Sequence, residues 1–159
     1  MGTTLRIIEE SLDLCIKEMI ETDVDQVHEI EQKCFPFPWS RSAFLLALSS
    51  LDSIVLSNLS GEVIIGYLVG MPSLDEYSIY NIAISPHYQK CGMATFLLKN
   101  LIKYHDGVYF NYYLEVRRSN YRALSLYHFL GFRILYVRKL YYSNPLEDAF
   151  VMRYNVRGK

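Results

Sequence analysis

Two groups of residues in this sequence have types and spacings suited to chemistry. The first is the run Asn81-Ile82-Ala83-Ile84-Ser85-Pro86-His87-Tyr88-Gln89-Lys90-Cys91-Gly92-Met93-Ala94-Thr95, a strand running through a short loop into a helix start. Gly92 and the small Ala94 let the backbone come close to a ligand. The free amides and positive dipole end of a helix N-terminus there favour a phosphate. A purely structural turn is the other reading, and no Gly-Lys-Ser/Thr follows to make a Walker loop. The second group is Leu114-Glu115-Val116-Arg117 followed by a helix carrying Asn120, Leu124 and Tyr127. The spacing i, i+4, i+7 puts the last three on one helix face. A period of two points Glu115 away from both Leu114 and Val116. A carboxylate so placed is either a solvated outer-face residue or a functional base, and Tyr127 is either core packing or an acid.

These residues carry a resemblance. Gln89-x-x-Gly92-x-Ala94 follows the Q/R-x-x-G-x-G/A pattern of the GNAT superfamily of acyl-CoA N-acyltransferases. Leu-Glu-Val-Arg, then Ser119-Asn120, then Ala123-x-x-Leu126-Tyr127-x-x-Leu130-Gly131-Phe132 resembles the RimI-type ribosomal-protein-alanine N-acetyltransferases. So do Phe37-Pro38-Trp39-Ser40, Asn81-Ile82-Ala83, and Tyr141-Tyr142 followed by Glu147-Asp148-Ala149. The resemblance spans about residues 15–155, with the motifs in one order.

The resemblance implies a splayed strand pair with the pantetheine of acetyl-CoA in the gap. It implies backbone groups of Ile82, Ala83 and Ile84 on that arm, and amides from Lys90, Cys91, Gly92, Met93, Ala94 and Thr95 on the pyrophosphate. Gln89 belongs to the same cofactor motif, and Asn120 contacts the cofactor. By the same resemblance Glu115 is the general base and Tyr127 the general acid, while Phe37, Trp39, Tyr142 and Glu147 lie on the acceptor side. Ala94 stands where many members have a second glycine, and Thr95 where many have a basic residue. Trp39 as a structural residue, Glu147 in a solvated turn and the tyrosines as plain hairpin packing are the alternatives.

The implied reaction is acetylation of the N-terminal α-amine of a protein, above all the N-terminal alanine of a small-subunit ribosomal protein, by direct attack in a ternary complex. Acyl transfer needs a neutral amine, a polarised carbonyl and a protonated leaving thiolate. A protein α-amine has a pKa near 8, against about 10.4 for lysine. One carboxylate can finish that deprotonation, and a tyrosine can protonate the sulfur. Cys91 at a helix N-terminus is open to activation, but the pyrophosphate would cover it. The alternatives are the same fold acting on lysine, a polyamine or another small amine, a non-catalytic acyl-CoA-binding module, and an RNA-binding domain. The last would use Arg117, Arg118, Arg122, Arg133, Arg138 and Lys139, but no RNP-type motif accompanies them.

The elements that must position these groups follow from pattern. Leu14–Ile20 reads as a strand. Thr22-Asp23 can cap a helix running to about Cys34, with Val24, Val27 and Ile30 at helical spacing. The prolines at 36 and 38 break it, and Ser40 caps a second helix over 41–48. Strands are expected at 53–59 and 63–71 around Ser60-Gly61-Glu62, and at 77–85. A helix over 94–104 has Ala94, Leu97, Leu98 and Leu101 on one face. A strand over 109–117 and a helix over 120–130 stopped by Gly131 follow. Strands over 132–142 and 149–154 close the fold around Ser143-Asn144-Pro145. Residues 1–12 read as an extension, frayed or forming a short added strand, and 13–157 as a single GNAT domain. The order β-α-α-β-β-β-α-β-α-β-β gives an α+β or mixed α/β fold: a mostly antiparallel sheet with helices on both faces.

Composition narrows the class. A chain of 159 residues is long enough to bury a core on its own. Sixteen basic and seventeen acidic residues nearly cancel, which removes a global charge argument for nucleic acid or a membrane. No run approaches the roughly 20 apolar residues of a membrane span. Cys15, Cys34 and Cys91 form no CxxC pair, and the simple inference is a reducing cytoplasm. The four histidines are scattered, so no metal is expected. The expected partners are acetyl-CoA and a protein N-terminus, with no nucleic acid or membrane, and the expected state is a monomer.

Overall fold

The structure is a computed structural model that describes residues 6–9 and 12–158. The expectation for 1–12 therefore lies partly outside the described residues. The elements are β1 (Arg6–Glu9), β2 (Leu14–Glu18), α1 (Val24–Cys34), α2 (Arg41–Ser50), β3 (Asp52–Asn58), β4 (Ile64–Ser73), β5 (Glu76–Ile84), α3 (Met93–His105), β6 (Asn111–Arg117), α4 (Tyr121–Leu130), β7 (Arg133–Ser143) and β8 (Leu146–Asn155). The eight strands hydrogen-bond in the order β1-β2-β3-β4-β5-β6-β8-β7. One pair, β5 with β6, is parallel. The pairs β1–β2, β2–β3, β3–β4, β6–β8 and β7–β8 are antiparallel. The four helices and the mixed sheet agree with the pattern read from the sequence. The eighth strand is β1, which pairs with β2 from Arg6↔Lys17 to Glu9↔Leu14.

The chain forms two compact units, Met1–Gly70 with Asn81–Leu101, and Met71–Tyr80 with Ile102–Lys159. The core of the first joins Val24, Val27 and Ile30 of α1 to Phe44 and Ala47 of α2 and to Val55, Ile64, Tyr67, Val69 and Ala83 from the strands. Trp39, Phe44 and Tyr67 make an aromatic chain through it, with ring centroids 5.5 and 5.3 Å apart. The core of the second buries Tyr77, Tyr112, Leu114, Val116, Tyr127, Phe132 and Met152. There β5 runs beside β6 from Glu76↔Asn111 to Ile79↔Leu114, and β8 pairs the whole of β6.

Local chemistry sets the boundaries. Asp23 stands at the cap position of α1 but does not cap it with its side chain as expected, because its carboxylate is taken by the Ile20 amide at 3.0 Å and by Lys17 at 2.7 Å. Ser40 Oγ accepts from the Ala43 amide at 3.1 Å and starts α2. Asn120 does the same for α4 through Ala123 at 3.1 Å, so it is the cap and not the first helical residue. Gly131, at φ +100°, ends α4 in the left-handed conformation that glycine adopts without a Cβ penalty. The turn between β7 and β8 is Asn144-Pro145, so β8 begins at Leu146, earlier than its apolar pattern suggests.

Candidate active site

The first unit holds the segment expected to take the cofactor. At the end of β5, Asn81, Ala83 and Ile84 are buried and Ile82 is half-buried. Gly66 of β4 sits against them. A Cβ there would lie 2.7 Å from the Ala83 carbonyl oxygen and 2.5 Å from Ile84 Cδ1. The absent side chain is thus what lets β4 and β5 approach at Ala83 and Ile84. After β5 the chain makes a single tight turn over Pro86–Tyr88. Gln89 then folds back, and its Nε2 donates to the Ile84 carbonyl at 2.8 Å. Its side chain fixes the loop to the strand end, which is a structural task beside the cofactor-motif position read from sequence.

Beyond Gln89 the backbone becomes left-handed at Lys90 (φ +64°) and Gly92 (φ +80°). Left-handed and helical residues in succession turn amides into one concavity that suits anions. The first helical bond of α3 runs from the Phe96 amide to the Gly92 carbonyl at 2.9 Å, so the amides of Met93, Ala94 and Thr95 have no partner within the helix. A Cβ built on Gly92 would meet nothing within 4 Å. The donor set and the open space beside Gly92 fit a pyrophosphate. Cys91 is exposed at this loop, Cys34 is half-buried and Cys15 buried, and among the described residues no disulfide joins them.

The acceptor-side loop of the sequence reading lies in this unit too. Phe37 is exposed, while Trp39 is half-buried with its ring against Phe44. The Trp39 amide donates to Glu31 Oε1 at 2.8 Å.

The second unit holds the proton-handling candidates. Along β6 burial alternates, with Tyr112, Leu114 and Val116 inside and Glu115 between them on the other face, half-buried. Glu115 is not a freely solvated residue. Arg138 Nη1 of β7 donates to Oε1 at 2.5 Å, and the Tyr141 hydroxyl donates to Oε2 at 3.3 Å. Arg138 also lies over the Tyr141 ring, 4.3 Å from its centroid. Tyr127 of α4 is buried beside Phe132, ring centroids 5.7 Å apart. Burial, then the neighbouring Tyr142, pushes its pKa up to about 12, so it carries its proton at any ordinary pH.

The closing hairpin is clamped by Arg117. Its guanidinium donates to the Asn144 carbonyl at 2.9 Å, the Pro145 carbonyl at 3.1 Å and Glu147 Oε2 at 3.2 Å, and it lies 4.0 Å from the Tyr142 ring centroid. Glu147 Oε1 accepts from the Ser119 amide at 2.6 Å, which holds its carboxyl below the usual range. Burial, then Tyr141, pushes Tyr142 up to about 12. In this unit Glu115, Tyr142 and Glu147 are linked through Arg138, Tyr141 and Arg117, and Tyr127 lies near enough to Tyr142 for that neighbour to raise its pKa. Asn120 stands apart, with its side-chain oxygen committed to capping α4.

The profile of the acetyltransferase (GNAT) family matches residues 24–132. The ribosomal protein bS18-alanine N-acetyltransferase of Escherichia coli K12 is 33% identical over 141 residues, which cover 86% of this chain and 94% of that protein. The chain belongs to the GNAT acetyltransferase family. The enzyme of the same name from Haemophilus influenzae is 37% identical over 142 residues, 86% of this chain and 95% of that protein. The crystal structure of the Escherichia coli ribosomal-protein-S18-alanine N-acetyltransferase superposes with a TM-score of 0.81 at 32% identity, covering 90% of this chain and 94% of the other. As a GNAT member the chain is an N-acetyltransferase. Among the described residues no group of His, Cys, Asp or Glu is arranged to hold a metal ion, and no helix is long and apolar enough to cross a membrane.

Three residues of this GNAT chain, Glu31, Tyr67 and Gly66, stand outside the sequence reading, and a fourth, Arg138, enters it in another role. Glu31 is 1% exposed, although it is a carboxylate. Its signal was position: seven residues after Val24 and four after Val27, it sits on the apolar stripe of α1. Tyr67, which hydrogen-bonds it, lies in a β4 run with no polar alternation. Gly66 was legible as a glycine inside a strand. Arg138 was noticed for its charge alone, and only β7–β8 pairing brings it to Glu115.

Proposed function

We propose that this enzyme transfers the acetyl group of acetyl-CoA to the N-terminal α-amine of a protein, above all the N-terminal alanine of a small-subunit ribosomal protein, by direct attack in a ternary complex. The observation that carries the reading is the pair of Glu115 held by Arg138 and Tyr141, and Tyr127 buried with its proton, in a chain whose relatives of 33 and 37% identity bear that activity in their names. Both units are taken as parts of the one acetyltransferase domain, 13–157.

Acetyl-CoA supplies an acetyl thioester. In the proposed reaction the amides from Lys90 to Thr95 hold its pyrophosphate, and backbone groups of Ile82, Ala83 and Ile84 bind the pantetheine arm and polarise the thioester carbonyl. Asn120 has its amide NH2 group left to donate to the cofactor once its oxygen caps α4. Glu115 takes a proton from the incoming amine, directly or through water, and Tyr127 gives one to the departing sulfur. A tyrosine held protonated by burial suits the second role better than the first. The acceptor-side residues that the resemblance implies are Phe37 and Trp39 on the loop before α2, and Tyr142 and Glu147 on the closing hairpin. Because no protein nucleophile takes part, both substrates must be bound together. Steady-state kinetics with labelled acetyl-CoA across N-terminal peptides, lysine peptides and polyamines test this. Intersecting double-reciprocal lines with an N-terminal alanine peptide are expected. Parallel lines rule out direct attack, and higher kcat/KM with a polyamine rules out the acceptor.

A further inference from the structure

The buried carboxylate of Glu31 has no part in the chemistry above, yet three different groups donate to it. Its Oε1 accepts from the Trp39 amide at 2.8 Å and from Asn81 Nδ2 at 3.2 Å. Its Oε2 accepts from the Tyr67 hydroxyl and from Asn81 Nδ2 at 3.2 Å. Tyr67 in turn stands 3.2 Å from Asn81 Oδ1. A carboxylate taken out of water is retained only when its lone pairs are satisfied, and three different segments satisfy this one. Trp39 belongs to the loop between α1 and α2. Tyr67 lies on β4 beside Gly66. Asn81 immediately precedes Ile82–Ile84 on β5. Burial and the nearby carboxylate raise the Tyr67 pKa well above the ordinary tyrosine range, so Tyr67 remains a donor.

We propose that Glu31 is a positioning residue that sets the acceptor loop against the cofactor strand, tying the backbone at Trp39 to Asn81. This rests on reading the Phe37–Ser40 loop as acceptor-side and Ile82–Ile84 as cofactor-side. A core made for stability alone would place an apolar residue at this point of the α1 stripe, where Val24, Val27 and Ile30 already point. A carboxylate instead fixes direction, because the Trp39 amide can only donate. The loop is held through its backbone, which leaves the side chains of Phe37 and Trp39 to meet an acceptor.

Glu31→Gln keeps the volume and one acceptor oxygen but puts an NH2 where a second acceptor stood. Tyr67→Phe keeps the ring against Phe44 and removes one donor. Trp39 is the lone tryptophan, so its fluorescence reports the loop without any acceptor present. For folded Glu31→Gln we expect faster acrylamide quenching of Trp39 and a red-shifted emission. The KM for an N-terminal alanine peptide should rise about tenfold, the scale of one hydrogen bond to a charged group, while acetyl-CoA affinity and kcat change little. Tyr67→Phe should move the same readouts the same way by less, and it serves alone if Glu31→Gln does not fold. Unchanged quenching in a folded variant overturns the proposal. So does a loss of acetyl-CoA affinity in proportion to the rise in acceptor KM, which marks a merely structural role. If the wild-type chain does not acetylate the peptide, the acceptor reading fails, and the quenching result still decides the role of Glu31.

Discussion

Replacing Glu115 with glutamine removes a charge and little else. The amide oxygen can still accept from Arg138, and the new NH2 can donate to the Tyr141 oxygen, so the two contacts at 2.5 and 3.3 Å have near-isosteric replacements. The pair is half-open to solvent, and exposed pairs of this kind contribute little to stability. The melting temperature should therefore stay within a few degrees of wild type. Activity should not. An α-amine of pKa near 8 is only about a tenth neutral at pH 7, so a base that supplies the neutral form contributes up to about tenfold there. Taking the proton as the new bond forms adds the rest, and general base catalysis in total is worth roughly 10²–10⁴-fold. Glu115→Gln should lower kcat by about 10²-fold or more at pH 7. By pH 9 the amine is about nine-tenths neutral, and the defect should shrink by about tenfold. Continuous detection of released CoA thiol over pH 6.5–9 measures this, with acetyl-CoA affinity checked separately. A folded variant that turns over normally at pH 7, or a defect that does not change with pH, would refute the assignment of Glu115 as base.

Tyr127→Phe should keep the ring contact with Phe132 and lose turnover without the recovery at high pH that Glu115→Gln shows. Because burial holds Tyr127 near 12, the wild-type kcat–pH profile should show no alkaline fall from this group below about pH 11. Gly66→Ala should raise the KM for acetyl-CoA about tenfold or more and lower the melting temperature, because its Cβ would press on backbone at Ala83, 2.7 Å away; unchanged cofactor titration would contradict the close approach of β4 and β5. His105 is buried beside Tyr112 Oη at 2.9 Å, and burial brings its pKa down to about 4. The unfolded chain, with its histidine near 6.5, then binds a proton first as pH falls. Stability should drop by about 2 kcal/mol between pH 7.5 and 5, read as a shift of the urea midpoint, and His105→Gln should flatten that dependence.

What was legible in the sequence was local. Ser40 and Gly131 mark helix ends because a cap is made within three or four residues, and both stand where the pattern puts them. Glu115 could be set opposite Leu114 and Val116 because strand alternation is fixed by the pleat. Gly92 stood out because a left-handed turn before a helix needs no partner from elsewhere. The rest depends on pairing over long distances in sequence. Arg138 reaches Glu115 only through β8, and Glu31 reaches Asn81 across fifty residues. Helical spacing sets Asn120 on one face with Leu124 and Tyr127, but it is the cap of α4, its side-chain oxygen accepting from the Ala123 amide. The short strand β1 has four residues, Arg-Ile-Ile-Glu, whose residue types do not alternate, so the alternating burial it shows comes from its partner β2 and not from its own pattern.

The proposed acceptor is an N-terminal amine. One peptide carrying both an N-terminal alanine and an internal lysine puts the two amines in competition at equal concentration. After partial reaction with acetyl-CoA, fragment-ion mass spectrometry locates the added acetyl group. The acetyl group should lie on the alanine α-amine, and blocking this amine in advance should abolish incorporation. Acetylation chiefly on the lysine side chain, undiminished by the blocked N-terminus, would contradict that assignment.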